Sequence, residues 1–325
     1  MTPVTFQLNW EPNGFQAPYF LARERGYYED EGIDVAFVEG HGSPFAAEQT
    51  ARGRSDVGLA GASAVLAKAS EGFDPLAAAA LTKRTPAAIY TLRDTFGEPL
   101  TDLSQLAGRT VAPSATKTRI LAAQALESAG VRDSVELLGV DPNTHHRVEH
   151  QVLDGSVDAA VGVVTNGAEL EAEYDRTADE LPIGEALGVY GMMLVVNREF
   201  AAESSETIRS LLRAIARGWA DATNDPAAAI DALVARNATL ERRRDIETEK
   251  FLAAAEGLQY TDHVAEAGWG VHRADRWERL AGMLAETDLL SGPVDPDSVW
   301  TNEYVDRDAP PIRAYAERIG RASGR

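Results

Sequence analysis

The sequence contains no cysteine, which excludes disulfide bonds, thiolate metal sites and thiol nucleophiles. Lysine is also scarce, since 27 of the 31 basic residues are arginine. No apolar run reaches the roughly 18 residues that a membrane-spanning helix needs. The Gly-x-Ser-x-Gly elbow of hydrolases, the Walker loop and the Gly-x-Gly-x-x-Gly fingerprint are all missing. The sequence therefore offers no signature of nucleophilic catalysis or nucleotide binding.

The charge is strongly acidic, with 51 acidic residues, 31 basic residues and a formal net charge of −20. A surface of this kind repels copies of itself and stays solvated when salt shortens the range of electrostatic forces. Together with the scarcity of lysine, it resembles the composition of proteins from salt-loving organisms. Binding to phosphate backbones needs a basic face, and none is visible, so we expect no nucleic-acid partner.

The first part of the chain alternates between strand and helix patterns. Residues 4–8 predict a strand, 17–32 a helix, 33–40 a strand, 43–55 a helix and 56–61 a strand. Short connections between such elements predict an α/β fold with mainly parallel sheets covered by helices. Ligands of such folds bind at the carboxyl ends of the strands.

A second α/β unit follows, and the chain then returns to the first. We predict that residues 1–88 and 191–325 form lobe 1, with a helical C-terminal part, and that 89–190 form an inserted lobe 2. Strands near 87–92 and 190–196 are expected to form a two-stranded hinge. A central ligand cleft between two such lobes is the expected binding place.

Several stretches resemble a known family. They are "LNWEPNGFQAPYFLARERGYYEDEGIDV", "GRSDVGLAGASAVLAKASEGFDPLAAAAL", "LTDLSQLAGRTVA", "VLDGSVDAAVG", "VNREF" and "WTNEYV". Their order and spacing are similar to those of ABC-transporter substrate-binding proteins for nitrate, sulfonates and thiamine-pyrimidine precursors, most of all the thiamine-pyrimidine branch. The resemblance implies a two-lobe, type II periplasmic-binding-protein-like fold, with a membrane permease and an ATPase as partners. It also implies an extracytoplasmic location if an export signal has been removed, and otherwise a cytoplasmic one.

One branch of the same family makes the thiamine pyrimidine from pyridoxal phosphate and its own histidine. Ala60 and Ala64 stand where that branch has its cofactor lysine and donor histidine, and Lys68 lies further along the helix. Gln16 stands where that branch has another histidine, its run of cysteines is absent, and its Gly-rich phosphate loop reads "APSATKTR". These departures predict a protein that is not an enzyme and needs no cofactor.

Candidate ligand contacts in lobe 1 follow the first and third strands. Trp10 is expected to stack on a planar ring, with a structural role as the alternative. Asn13 and Gln16 offer amides, although Asn13 equally suits a turn and Gln16 equally suits solvent. Tyr19 suits either the core or a ligand wall. Gly61 and Ser63 form a turn of small residues at a helix N-terminus.

Candidate contacts in lobe 2, and at the point where the chain returns to lobe 1, are again residues next to the ends of predicted strands. Ser114 and Thr116 form a strand-to-helix turn that could hold a phosphate or carboxylate. Thr165 and Asn166 end another strand, and Tyr190 is expected to cover the second face of the ligand ring. A separate group, His145, His146 and His150, has spacing that two metal ligands could use, but we interpret it as a solvated helix face and predict no metal site.

The expected ligand is a small planar heterocycle, such as a thiamine pyrimidine precursor. Two alternatives stay open: an enzyme of thiamine pyrimidine biosynthesis on the same fold, and a nitrate-, sulfonate- or taurine-type binding protein or cytosolic ligand sensor. Fold alone does not decide between them.

Overall fold

The computed structural model describes residues 1–140, 148–287 and 289–306. With those gaps, the chain divides into two compact units. Unit 1 holds Met1–Lys83, Tyr190–Ala281 and the described residues from Leu290 onward, and unit 2 holds Arg84–Val189 and Gly282–Leu289.

The strands, in chain order, are β1 Thr2–Gln7, β2 Ile33–Val38, β3 Val57–Gly61, β4 Leu76–Ala80, β5 Ala87–Leu92, β6 Thr110–Pro113, β7 Glu136–Leu137, β8 Ala159–Val163, β9 Ala178–Pro182 and β10 Met192–Val196. The order β2-β1-β3-β10-β4 forms the sheet of unit 1, and β7-β6-β8-β5-β9 forms the sheet of unit 2. Strand β9 was not expected from its polar sequence "ADELP", whose residues are half-exposed or exposed.

The α-helices, in chain order, are α1 Ala17–Glu24, α2 Tyr27–Asp30, α3 Ser43–Ala51, α4 Ala62–Ser70, α5 Arg93–Phe96, α6 Thr116–Ser128, α7 Val148–Leu153, α8 Asn166–Tyr174, α9 Gly184–Leu187, α10 Arg198–Glu203, α11 Ser205–Asn224, α12 Pro226–Arg236, α13 Arg244–Leu252, α14 Asp262–Ala267 and α15 Ala274–Ala285. A π-helical stretch, Ala253–Gln259, continues α13. None of the described helices supplies the length of apolar sequence that a bilayer crossing requires.

In unit 1, strands β1, β2 and β3 are parallel, and β10 runs antiparallel between β3 and β4. The carboxyl ends of β1 to β4 and the start of β10 therefore lie at one edge of the sheet, which we call the strand-end edge of unit 1. Strands β3 and β4 read "VGLAG" and "LAAAA" and are completely buried. Continuous apolar runs of this kind are typical of strands covered by helices on both faces.

In unit 2, β6 is parallel to β7 and β8, while β5 is antiparallel to β8 and β9. Strand β5 belongs to the sheet of unit 2 and β10 to that of unit 1, and each pairs with other strands of its own sheet. The expected hinge at the two chain crossings stays a prediction. The expected lobe boundaries shift. Because all of β5 pairs within unit 2, the first boundary falls after Lys83, and Gly282–Leu289 belongs with unit 2 instead of lobe 1.

The core of unit 1 is built where α1 packs against α11. Helix α11 presents apolar side chains every three or four residues, which is the spacing of a single helix face. Its Trp219 is 1% exposed and meets the ring of Tyr19 edge-on at 6.1 Å between centroids, and Tyr19 also meets Phe6 at 5.7 Å. Tyr19 is thus a core residue, and its interpretation as a ligand wall is wrong.

The close approach of α1 and α11 depends on Gly218. A Cβ atom there would lie 2.5 Å from the carbonyl oxygen of Pro18 and 2.7 Å from the Cβ of Ala22. We expect Gly218→Ala to lower the free energy of unfolding by about 1–3 kcal/mol, because the two helices must separate. Urea unfolding followed by circular dichroism measures this change.

Gly282 on α15 is the matched control for that substitution. Nothing lies within 4 Å of the position its Cβ would take. Gly282→Ala should therefore raise the free energy of unfolding by about 0.5–1 kcal/mol, which is the gain in helix propensity. Equal effects of the two substitutions would contradict the role given to Gly218.

Candidate functional site

Trp10 follows β1 at the strand-end edge of unit 1, and its side chain is 46% exposed. Its loop is tied to the loop after β2: the Gly42 amide donates to the Asn9 carbonyl at 2.7 Å, and the Gly40 amide donates to the Trp10 carbonyl at 3.4 Å. Gly40 has no room for a side chain, since a Cβ would lie 2.0 Å from the Leu8 carbonyl oxygen. A large apolar ring is thus held at the surface by a fixed backbone.

Asn13 and Gln16 form a capping box at the short 3₁₀ turn Gly14–Gln16. The Asn13 Oδ1 accepts from the Phe15 amide at 3.0 Å, and the Gln16 Oε1 accepts from the Asn13 amide at 3.0 Å. The Gln16 Nε2 donates to the Asn9 Oδ1 at 3.0 Å, and Gln16 is only 3% exposed. Both amides therefore support the loop, and the expected ligand contact of Gln16 is corrected to an internal role.

Two residues that the sequence analysis passed over lie beside this loop. His41 is exposed, Phe45 is 37% exposed, and their rings meet edge-on at 5.3 Å between centroids. His41 lies in the loop after β2, and Phe45 lies in the first turn of α3. The backbone of that loop is bonded to Asn9 and Trp10 as described above. We call Trp10, His41 and Phe45 the aromatic edge. The signal in the sequence was "HGSPF", where proline starts a helix and fixes an aromatic residue in its first turn.

Gly61 and Ser63 lie at the same strand-end edge, where β3 passes directly into α4. Gly61 is the N-cap residue with extended backbone, and Ser63 is 8% exposed in the first turn. The amide of Ala62 donates to the Gly191 carbonyl at 2.8 Å, so one of the free amides of the helix start is already bonded. Because these residues are small, β3, α4 and the start of β10 lie close together here.

Tyr190 is 2% exposed and is enclosed within unit 1. Its hydroxyl accepts a hydrogen bond from the Arg273 amide at 2.7 Å, and its ring lies 5.9 Å from those of His272 and Trp277. Burial raises the pKa of the Tyr190 hydroxyl to about 12. The ring therefore packs against His272 and Trp277. Its expected contact with a ligand ring stays a prediction. Trp10 and Phe45, by contrast, are exposed rings of unit 1 and lie on the aromatic edge.

The amine of Lys83 is fully buried, which its sequence context does not indicate. Its Nζ donates to the carbonyl oxygens of Ala80 at 3.1 Å and Val271 at 2.8 Å. Burial lowers the pKa of this amine well below its usual value, and the Arg276 guanidinium lowers it further. The backbone amide of Lys83 also donates to the Leu258 carbonyl, so Lys83 fixes the segment that follows β4 at the strand-end edge.

In unit 2, the two predicted strand-end turns are present. Ser114 and Thr118 share a hydroxyl hydrogen bond of 3.2 Å at the start of α6, and Thr116 is exposed beside them. Thr165 has a left-handed backbone with φ of 83°, and its amide donates to the Glu180 Oε1 at 2.8 Å. The Asn166 Oδ1 accepts from the Val163 amide at 2.8 Å. The amide oxygen of Asn166 is thus engaged locally, whereas Thr116 is open to solvent.

The remaining candidates concern enzyme and metal chemistry. Ala60 and Ala64 are buried, while Lys68 is paired with Glu48 at 3.2 Å and Glu71 at 2.7 Å. The described residues contain no group of three or more His, Asp or Glu side chains that could hold a metal ion. Of the histidine group, His150 lies on α7, and His145 and His146 fall outside the described residues.

Comparison with solved structures defines the class of this fold. The periplasmic aliphatic sulphonate binding protein SsuA from Escherichia coli superimposes with a TM-score of 0.71 at 17% identity, over 94% of this chain and 99% of that one. The protein therefore has the α/β fold of the periplasmic binding proteins.

The family follows from the sequence. A model described as "NMT1/THI5 like" matches residues 13–229, which is more than half of the chain, and the chain belongs to this family. It is 26% identical to the riboflavin-binding protein RibY of Chloroflexus aurantiacus, over 93% of this chain and 86% of that protein. It is 23% identical to the formylaminopyrimidine-binding protein of Halalkalibacterium halodurans, over 92% and 89%.

The same family also contains enzymes. The chain is 24% identical to the 4-amino-5-hydroxymethyl-2-methylpyrimidine phosphate synthase THI13 of Saccharomyces cerevisiae, over 93% of this chain and 87% of that protein. The recognised family and fold are thus confirmed. The salt-loving source that the composition indicates stays a prediction.

The lowered pKa of Lys83 gives a prediction about stability and pH. Between that lowered value and the usual 10.5, the unfolded chain binds more protons than the folded chain, so the free energy of unfolding increases with pH. Lys83→Met removes this contribution. We expect the stability of the parent relative to Lys83→Met to increase as the pH rises from about 7 to about 10.

Urea unfolding of both proteins at constant ionic strength measures this difference. Lys68→Met is the control, because Lys68 is paired with two carboxylates near the surface. A stability difference for Lys83→Met that stays level or falls over this pH range would contradict the buried, weakly basic state of the amine.

Proposed function

We propose that this protein is the substrate-binding protein of an ABC importer and binds a small planar heterocycle at the strand-end edge of unit 1. Trp10 is the platform on which the ring stacks. The protein delivers its ligand to a membrane permease that a separate ATPase drives, and it works outside the cytoplasm. Binding and release are its whole task, and it carries out no chemistry.

The aromatic edge is the observation that carries this proposal. Trp10 and Phe45 are two of the few large apolar side chains exposed anywhere in the described residues, and both lie at the end of the sheet where ligands of α/β folds bind. Exposing such rings to water is unfavourable, at about 25 cal/mol for each Å² of apolar surface. A fixed, exposed indole is suited to stacking on a flat ring, which also removes that surface from water.

The relatives support a heterocyclic ligand. Two of them are named for riboflavin and for formylaminopyrimidine, and both molecules contain a planar ring with nitrogen atoms. The sulphonate-binding structure supports the fold only, because its sequence identity is low. A pyrimidine or a larger fused ring is therefore the ligand class that we favour over nitrate or taurine.

Further contacts are proposed from the strand-end turns. Gly61 and Ser63 in unit 1 are the small residues that permit a close backbone approach to a ligand. In unit 2 we keep Ser114, Thr116, Thr165 and Asn166 as predicted contacts, with Thr116 favoured because it is exposed. Asn13 is half-buried and stays a predicted contact through the outer face of its amide.

The enzyme alternative has specific support, since yeast relatives are named as pyrimidine phosphate synthases. Such chemistry needs an amine that can attack the aldehyde of pyridoxal phosphate. Lys68 is held as a cation by two carboxylates, and Ala60 and Ala64 stand at the positions where the synthases have reactive side chains. These residues do not fit the cofactor, and we favour binding. A sensor without a permease is the other alternative, and a permease gene beside this one would argue against it.

Substitution of Trp10 tests the stacking platform. Trp10→Ala and Trp10→Leu should weaken binding by about 1–3 kcal/mol, whereas Trp10→Phe should keep most of the affinity because it retains a ring. That loss corresponds to roughly a tenfold to 150-fold increase in Kd. Calorimetric titration with riboflavin, a formylaminopyrimidine and taurine measures it. Because Trp10 is half-exposed, melting temperatures should change little, which separates affinity from stability.

Tyr174 supplies the matched control, since its ring is 39% exposed at the C-terminal end of α8, the end opposite to Asn166. Tyr174→Ala should leave each Kd unchanged, and Phe45→Ala should weaken binding less than Trp10→Ala. If folded Trp10→Leu binds its best ligand as tightly as the parent, Trp10 is not the platform.

A cofactor-trapping experiment tests the enzyme alternative. We expect no Schiff-base absorbance band to survive dialysis after incubation with pyridoxal phosphate, and no reduced adduct after borohydride treatment. The reason is that the described lysines of unit 1 are either paired with carboxylates or buried against carbonyl groups. Lys117 of unit 2 lies outside the segment in which the family resemblance places the cofactor lysine. A stable band that disappears in Lys68→Ala or Lys83→Met would support the synthase alternative instead.

A further inference from the structure

Glu247 is an almost completely buried carboxylate, 1% exposed, on α13. One oxygen, Oε2, accepts a hydrogen bond of 2.7 Å from the backbone amide of Gly14, which lies 233 positions earlier in the sequence. The other oxygen, Oε1, accepts from the Nζ of Lys250 at 3.2 Å. Lys250 is itself 9% exposed. Both bonds of Glu247 are therefore made out of contact with bulk water.

A buried ion pair of this kind is not a general way to stabilise a core. Desolvation of two charges costs free energy that their attraction only partly offsets, and apolar side chains of similar size are often as stabilising. What the pair provides is a directed, charge-assisted bond to one backbone amide. The residue that receives this bond, Gly14, belongs to the loop that carries Trp10.

The backbone of α13 touches the same loop a second time. A Cβ on Gly14 would lie 1.9 Å from the Glu247 carbonyl oxygen and 2.8 Å from the Lys250 Cβ. The loop therefore rests directly on the helix, and only glycine permits this distance. The side-chain bond and the backbone contact fix the same point of the chain.

From that point, a chain of hydrogen bonds leads back to Trp10. Gly14 follows the capping residue Asn13, whose amide is bonded to Gln16, and Gln16 in turn donates to Asn9. Asn9 precedes Trp10, and its carbonyl accepts from Gly42. A displacement of Gly14 from α13 disturbs the residues that define the position of the indole.

We propose that Glu247, held by Lys250, is a positioning residue that fixes the Trp10 loop and so sets the affinity for the ligand without touching it. The effect on affinity rests on the function proposed above, whereas the effect on the loop does not. Pre-organisation of this sort lowers the entropy that a loop loses when it binds.

The first experiment measures the mobility and solvent access of Trp10 without any ligand. For the parent and for each variant, the fluorescence of Trp10 is obtained by subtracting the signal of the same protein with Trp10→Phe. Glu247→Leu removes the acceptor and the charge, so Trp10 should show lower anisotropy and stronger quenching by acrylamide. Glu247→Gln keeps an oxygen that can accept from Gly14 and should restore most of the parent signal. Glu249→Leu, an exposed change on the same helix, should leave the signal unchanged.

The second experiment measures affinity with riboflavin and a formylaminopyrimidine as probes. We expect Glu247→Leu to raise Kd by about tenfold and Glu247→Gln to raise it by no more than about threefold. All variants are compared at a temperature at which circular dichroism shows them folded. If neither probe binds to the parent, the proposed ligand class fails, while the fluorescence result still decides the positioning role.

Gly14→Ala is the second variant, needed if Glu247→Leu does not fold. It retains both Glu247 and Lys250 in the sequence but forces the loop away from the helix. It should loosen Trp10 in the same way as Glu247→Leu. The positioning role is overturned if Trp10 has the parent's anisotropy and quenching in folded Glu247→Leu, or in Gly14→Ala when only that variant folds.

Discussion

The pairing of β10 with both β3 and β4 is the constraint on which unit 1 depends. Strand β10 arrives more than one hundred residues after β4 and fills the gap between two strands that cannot reach each other without it. Contacts so distant in sequence close late in folding, since the intervening chain must first be ordered. Once β10 is in place, Gly191 bonds to Ala62, and the start of β10 becomes part of the strand-end edge.

The small side chains of β3 and β4 are a consequence of this arrangement. Strands that read "VGLAG" and "LAAAA" bury little apolar surface each, so their backbone bonds and the helices above them hold the sheet together. The apolar content of unit 1 is concentrated in α1 and α11, where Tyr19 and Trp219 meet. Trp10 is not part of this core and stands at the strand-end edge with 46% of its side chain exposed.

The alternation of strands and helices was readable from the sequence because period-two and helical patterns are local. Pairing partners are not local, so the sequence alone does not show that 87–92 and 190–196 belong to different sheets. Tyr19 was ambiguous for a related reason: a helix that starts at a strand end has one face toward the core and another toward solvent, and spacing alone does not tell which is which. Strand β9 was missed because its side chains are polar and only partly buried.

In the candidate site, too, local patterns are visible in the sequence and long-range contacts are not. Trp10 was found because an aromatic residue at a strand end is conspicuous, whereas His41 and Phe45 become notable only when their loop is seen bonded to that of Trp10. Glu247 was invisible in the sequence, because nothing near it indicates that its carboxylate reaches Gly14. Residues that position others through long-range bonds leave no periodic signal.

The lysines of unit 1 differ in the two properties that covalent attack on an aldehyde requires. An amine that attacks an aldehyde must be both accessible and neutral for part of the time. In unit 1, Lys68 is near the surface but held as a cation by Glu48 and Glu71, while Lys83 is weakly basic but enclosed by carbonyl oxygens. Lys250 is occupied by Glu247. In these lysines of unit 1, accessibility and low basicity are thus separated onto different side chains.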